Sequence, residues 1–164
     1  MIVVADSSPL NYILQLDIIR EFQVIFGEVL IPEAVLQELM DSGSPEAVQR
    51  WAAHLPEWVS VRRPLSSDPT LPKHLGAGET DAINLALEVR ASRLLIDDLP
   101  GRRAAERRSI PVTGTLTIAW QAALVSNLDF NLLLSKLLAL GFRASDDVLD
   151  LVKHEYAAAR AEHK

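Results

Sequence analysis

Two apolar runs far apart in the chain, Ile2-Val3-Val4-Ala5 and Leu94-Leu95-Ile96, each end directly in aspartate: Asp6 after the first, Asp97-Asp98 after the second. Short runs that are apolar at consecutive positions are the pattern of a strand buried on both faces, and such strands belong to parallel sheets covered by helices. Helix-like segments alternate with these and other strand-like runs, which predicts an α/β fold with a central parallel sheet of about four or five strands. In an open sheet of that kind, ligands bind beyond the carboxyl ends of the strands, near the point where strand order reverses. Asp6 and Asp98, delivered to that edge from distant parts of the chain, are placed to meet. Capping of the following helix is the plainer role for either one alone.

The remaining elements follow in order. Ser7-Ser8-Pro9 predicts a helix with Ser8 as N-cap and Pro9 at its first position. Phe22 to Ile31 is read as holding the second strand, and Pro32 as opening a helix to about Met40. Asp41 to Pro45 interrupts, a third helix runs through Trp51, and Trp58-Val-Ser-Val61 alternates as a strand does. Arg63 to Leu75, rich in Pro and Ser, is the longest loop. A helix from Glu79 to about Ser92 leads to the Leu94 strand; Pro100 begins a basic helix, and Ile110 to Thr113 is a short strand. Three helices finish the chain: Thr115 to Ser126, Phe130 to Leu140, and Ser145 to the end. At 164 residues this is read as a single domain, core 1–125 with C-terminal helices 126–164.

Two helical glutamates stand out. Glu38 projects on the apolar side of its helix, beside Ile31 and between Ala34 and Val35, whereas Glu33 and Gln37 face elsewhere. A charge on a core-facing stripe is costly unless paired or bound to a cation; the alternative is a side chain that bends out to water. Glu79 has Ala82, Ile83 and Ala86 as its helical neighbours, although its place at a helix N-terminus is also favoured by the macrodipole. Asp81 falls on the other side of that helix, near Asn84 and Glu88. Four inward or strand-end acids form a set that separate capping roles do not explain.

Composition sets limits. The absence of cysteine excludes disulfides, thiolate zinc sites and thiol nucleophiles, and suits a reducing cytoplasm. The N-terminus shows no basic leader, and no apolar stretch approaches the ~18 residues of a membrane helix, so a soluble cytoplasmic protein without a membrane partner is expected. A net charge of −6 is unusual for a phosphate binder. An acidic metal site is the exception, because bound cations reverse the local sign. The four histidines have no metal-like spacing. Arg102, Arg103, Arg107 and Arg108 crowd the helix after Asp98; Arg102 is nearest the acids and has the planar fork that grips phosphate, against a default of a solvated basic face. Thr113-Gly114-Thr115 offers backbone N–H groups to a phosphate, or is a plain strand-to-helix turn.

Taken in order, Val3-Val-Ala-Asp6-Ser-Ser, Ile31-Pro-x-x-Val-x-x-Glu38-Leu, Gly78-Glu79-x-x-Ala-Ile-x-Leu-Ala86 and Leu94-Leu-Ile-Asp-Asp98 resemble the acidic motifs of PIN-domain nucleases, from residue 2 to about 125. The Asp-Asp pair, the Arg-rich helix and Thr113-Gly-Thr115 resemble one subgroup, and many family members are VapC-like toxin ribonucleases. The resemblance implies Asp6, Glu38, Glu79 and Asp98 as the catalytic acids. It implies magnesium or manganese held by a subset of Asp6, Glu79, Asp81, Asp97 and Asp98, with Asp97 or Asp98, and Glu79 or Asp81, left open. It implies substrate contacts from Ser7, which stands where Thr is common, and from Arg102, Thr113 and Thr115. RNA as substrate, a small antitoxin protein as partner and a homodimer follow on the same ground. A catalytically idle PIN-like binding domain would show a broken acid set, whereas here the set is complete. A phosphatase or response-regulator-like domain would need a late-strand Lys that is missing, and a dinucleotide binder a Gly-x-Gly-x-x-Gly after the first strand.

Overall fold

The computed structural model describes residues 1–163. Five parallel strands form one sheet: β1 (Val3–Ala5), β2 (Val29–Pro32), β3 (Val59–Arg62), β4 (Arg93–Leu95) and β5 (Val112–Thr113), in the order β3-β2-β1-β4-β5. The chain builds outward from β1 in one direction, then returns to its other side for β4. The reversal of strand order therefore falls between β1 and β4, which lie side by side with Val4 opposite Leu94.

Helices cover both faces, which is why the central strand β1 is apolar and buried at every position. Val3, Ala5, Val29, Ile31 and Leu95 point into the larger core. That core is built with α1 (Ser7–Gln15), α2 (Ile19–Phe26), α3 (Glu33–Met40), α4 (Glu46–Ala53), α7 (Thr115–Ser126) and α8 (Phe130–Ala139). Val4, Leu94 and Ile96 point the other way, into a smaller core with α5 (Ala77–Glu88) and α6 (Leu99–Glu106). Adjacent strand positions alternate between the two cores, as the two-residue period requires. The final helices, α8 and α9 (Asp146–Glu162), pack on α7, with Phe130, Leu133, Leu134, Leu137 and Val152 in the larger core.

Three local expectations are corrected. Phe22 to Phe26 is helical, and the second strand is only Val29–Pro32. Ile18, Phe22 and Phe26 are spaced four apart and are all buried, with the Phe22 and Phe26 rings 5.0 Å apart and Trp58 against Phe22. That helical stripe outweighs the strand preference of Phe, Val and Ile, and Gly27 at φ 68° ends the helix. Second, Ser8 is not the N-cap of α1. Asp6 holds that position with extended backbone, Ser7 is the first helical residue and Pro9 the third. Third, α5 runs from Ala77 to Glu88 instead of from Glu79 to Ser92. Arg90, left-handed at φ 52°, closes it with a Schellman turn: Ala91 N–H donates to Ala86 and Arg90 N–H to Leu87. No glycine marks that stop in the sequence.

Candidate functional site

The reversal point gathers the acids. Asp6 leaves β1 with its N–H donating to Leu95 of β4 at 2.9 Å, so the backbone of one central strand pins it against the other. Its side chain makes no capping bond to α1, and its Oδ1 is buried without a partner. Asp98 follows β4 at the N-cap of α6, where its Oδ2 accepts from Gly101 N–H at 3.5 Å. Glu38 comes from the last turn of α3 and Glu79 from the first turn of α5.

Their charges act on one another. Burial pushes the Asp6 carboxyl up from 3.8 to about 7. The negative charges of Glu38, Asp97 and Asp98 add to that rise, and the Ser7 backbone N–H opposes it. Glu79 rises from 4.5 to about 7, first through burial, then through the charges of Asp98 and Asp6, a hydrogen bond with Asp98 and the charge of Glu38. Glu79 Oε2 is also buried and unpartnered. Like charges crowded out of water shift upward in this way, and such groups collect where a protein does chemistry.

Two of the five carboxylates are held in place. Glu38 Oε2 accepts from Ser7 Oγ at 2.6 Å, and its Oε1 accepts from Gly78 N–H at 3.0 Å. That N–H is in the first turn of α5, where the helix favours negative charge. A Cβ at Gly78 would stand 2.5 and 2.6 Å from the two Glu38 oxygens, so any larger residue would push that carboxylate from its place. Asp97 accepts from Thr115 N–H at 2.7 Å, Thr115 Oγ1 at 2.6 Å and Ser8 Oγ at 3.0 Å. Both its oxygens are thereby occupied, while Asp98 turns toward Glu79.

The other residues singled out in the sequence lie as follows. Asp81 lines a separate cavity with Glu33, Arg63 and Asn84, and is not among the groups whose charge reaches Asp6 or Glu79. Thr115 serves Asp97 with both its donors, so that N–H is not open to a phosphate. Thr113 ends β5 nearly buried, its carbonyl accepting from Ile96 N–H at 3.0 Å. Arg102 lies against the same turn: its Nη1 would be 2.8 Å from a Cβ on Gly114. Among the described residues Arg102 joins no ion pair.

Ser8, Gly78 and Gly101 were not singled out as site residues. Gly101 admits Glu79, since a Cβ there would meet Glu79 Oε2 at 2.8 Å and Ile96 Cδ1 at 2.7 Å. The available signal was their smallness at strand-to-helix junctions, which sequence alone does not separate from ordinary turn chemistry.

A family model described as PIN domain (DUF3368) matches residues 2–157. The chain belongs to the PIN domain family. PIN domains are commonly metal-dependent nucleases. A solved PilT N-terminus domain protein from the hyperthermophilic archaeon Sulfolobus solfataricus P2 is similar in structure, with a TM-score of 0.55 and 17% identity over 74% of this chain and 93% of that one. At that identity the likeness is one of fold. No curated protein matches the sequence. Among the described residues, no helix of this PIN domain is long and apolar enough to cross a membrane.

The donor set of this PIN domain fits a hard divalent cation. It offers carboxylate oxygens only, two of them buried and unpartnered, in surroundings that already disfavour uncompensated charge. Among the described residues no three such side chains are arranged to hold an ion as they stand.

Proposed function

We propose that this PIN domain is a magnesium- or manganese-dependent endoribonuclease, the toxin member of a toxin–antitoxin pair. The observation that carries the nuclease reading is the pair of orphaned buried oxygens, Asp6 Oδ1 and Glu79 Oε2, on two carboxyls that burial and the neighbouring acids push upward. Such a cleft is short of positive charge, and a divalent cation together with substrate phosphate completes it.

In this reading Asp6, Glu79 and Asp98 hold the metal, directly or through water. Bound there, the metal supplies an activated water and stabilises charge on the scissile phosphate. Glu38, fixed at both oxygens by Ser7 and Gly78, accepts a proton from the attacking water or orients it. Asp97 is tied to Thr115 and Ser8 and holds the β4 end against the start of α7. Arg102, free of carboxylate partners among the described residues, takes a phosphate oxygen of the strand. The toxin role and a small antitoxin partner rest on the family resemblance. A homodimer is supported by Leu132, Leu138 and Leu140, which stay exposed around α8.

The test is incubation of the purified protein with mixed RNAs in magnesium, manganese or EDTA. Cleavage is expected with metal and absent in EDTA. Glu38→Gln is expected to lower the rate by more than ~100-fold with the fold retained, whereas Glu33→Gln, whose carboxylate pairs with Arg63 at the surface, leaves it unchanged. A wild-type protein that cuts no RNA in either metal supports the idle binding domain, and full activity in Glu38→Gln removes the assigned site.

A further inference from the structure

Arg102 borders two cavities. One, of about 510 Å³, reaches Asp97 and Thr115 at the carboxylate cleft. The other, of about 450 Å³, runs beside β5, the last strand of the sheet, and is lined by Arg93, Arg102, Trp120, Gln121 and Glu155 among others. The two share Gly114, Thr117 and Glu155 as well as Arg102, so they lie side by side, the first of them reaching Asp97. Two residues of the second cavity's lining carry buried polar atoms with no hydrogen-bond partner, Trp120 Nε1 and Gln121 Oε1. Neither Arg93 nor Arg102 joins an ion pair among the described residues.

We propose that the second cavity is a subsite for one nucleotide of single-stranded RNA, adjacent along the strand to the phosphate held at the carboxylates. The assignment rests on the nuclease reading. The volume is that of a small-molecule site. Arg93 and Arg102 supply two guanidinium forks for the phosphates flanking the nucleotide. Trp120 brings a flat ring and a lone donor, and Gln121 a lone acceptor beside it. The edge of a base carries donors and acceptors together and satisfies both once the side chains turn these atoms toward the cavity, which removes the cost of leaving them unpaired. Glu155 decides between ligands: its carboxylate repels a simple anion but accepts from a base amino group. A base locked in a duplex cannot enter, so the ligand is an unpaired one.

The experiment uses the full chain in EDTA, where no cutting occurs. The chain has three tryptophans. The Trp120 indole N–H signal is identified by its loss in Trp120→Phe, then followed by NMR as a short mixed-sequence RNA strand is added. It is expected to move, while the signals of Trp51 and Trp58, whose tilted rings lie 6.2 Å apart against the larger core, stay still. Arg93→Gln is expected to raise KM for RNA roughly tenfold with kcat unchanged. The subsite is overturned by an unmoved Trp120 signal, by equal movement with a duplex, or by saturation with free nucleoside monophosphates at the concentration at which the strand saturates. An unchanged KM in Arg93→Gln also overturns it. A protein that cuts RNA while Trp120 stays still loses the subsite alone. A protein that binds the strand at Trp120 but cuts nothing in manganese loses the nuclease reading instead.

Discussion

Asp6 in the cleft and Asp68 in the loop between β3 and α5 bring the same carboxyl group into opposite surroundings. Asp68 accepts from Thr70 N–H at 2.8 Å, Thr70 Oγ1 at 2.6 Å and the Arg108 guanidinium at 2.7 Å, and these donors pull its carboxyl down from 3.8 to about 2. Arg108 is itself braced by Ala104 and Thr70, and the Asp68 N–H donates to Asn84 Oδ1. The longest loop is thus strapped to α5 through Asn84 and to the end of α6 through Arg108. Asp6 is more deeply buried, yet one of its oxygens has no donor at all and its neighbours are other acids. The fold has donors to place, and it places them on the loop and on Glu38 and Asp97 rather than on Asp6 and Glu79. What the cleft lacks in donors is what a cation supplies.

The contrast is sharpest in the response to pH without metal. A carboxyl raised to about 7 by folding contributes most below 3.8, where both states are protonated, and that contribution is lost as pH climbs from 3.8 through about 7. We expect the metal-free protein to weaken over that window, and Asp6→Asn to be more stable at neutral pH by up to ~4 kcal/mol, measured by denaturant unfolding in EDTA. Equal stability of variant and parent would show that Asp6 is not strained by its charge. Next in size, magnesium or manganese at a hundred times its Kd should stabilise the parent by ~3 kcal/mol. An Asp6→Asn, Asp98→Asn double variant should show almost none of this. Similar gains in both would place the ions elsewhere.

A smaller effect is expected from Gly78→Ala, which puts a methyl group against the Glu38 carboxylate. Cleavage should fall roughly thirtyfold through misplacement of that group, with little change in melting temperature. Unaltered kinetics would mean that Glu38 need not stay where Gly78 holds it. Smallest of all, Arg108→Met acts on the other side of the comparison. Asp68, lowered in the folded protein, contributes stability above 3.8 that disappears as pH falls toward about 2. The variant should melt a few degrees lower at neutral pH, converge with the parent in acid, and cut RNA normally. A large loss of activity would tie the strap to the site.

How far the sequence reveals this molecule depends on whether a signal is local. Asp6 and Asp98 are visible as acids at the ends of apolar runs, because the strand period is local, whereas Glu38, expected on a core-facing stripe, is exposed and is held by Ser7 and Gly78 instead. The parallel sheet follows from the same runs. The Phe22–Phe26 segment misleads because a short apolar stretch fits either period, and only Trp58 and the burial of Ile18 select the helix. Asp97 and Asp98 are indistinguishable as neighbours in a sequence. They separate only when Thr115, on a different helix, occupies both oxygens of one of them. The Schellman stop at Arg90 is likewise silent, since the residue that adopts the left-handed turn is not a glycine.

The pairing of β1 with β4 also has a consequence for how the protein is made. Val3 sits opposite Arg93, so the first strand waits for most of the chain before its second neighbour exists. Contacts that close so long a loop form late, and a chain emerging from the ribosome completes its early segments first. While β2 and β3 can already assemble on β1, Asp6 faces no partner acid from β4, and Asp97 has no Thr115 to hold it. A chain that stops before β4 therefore carries no assembled cluster.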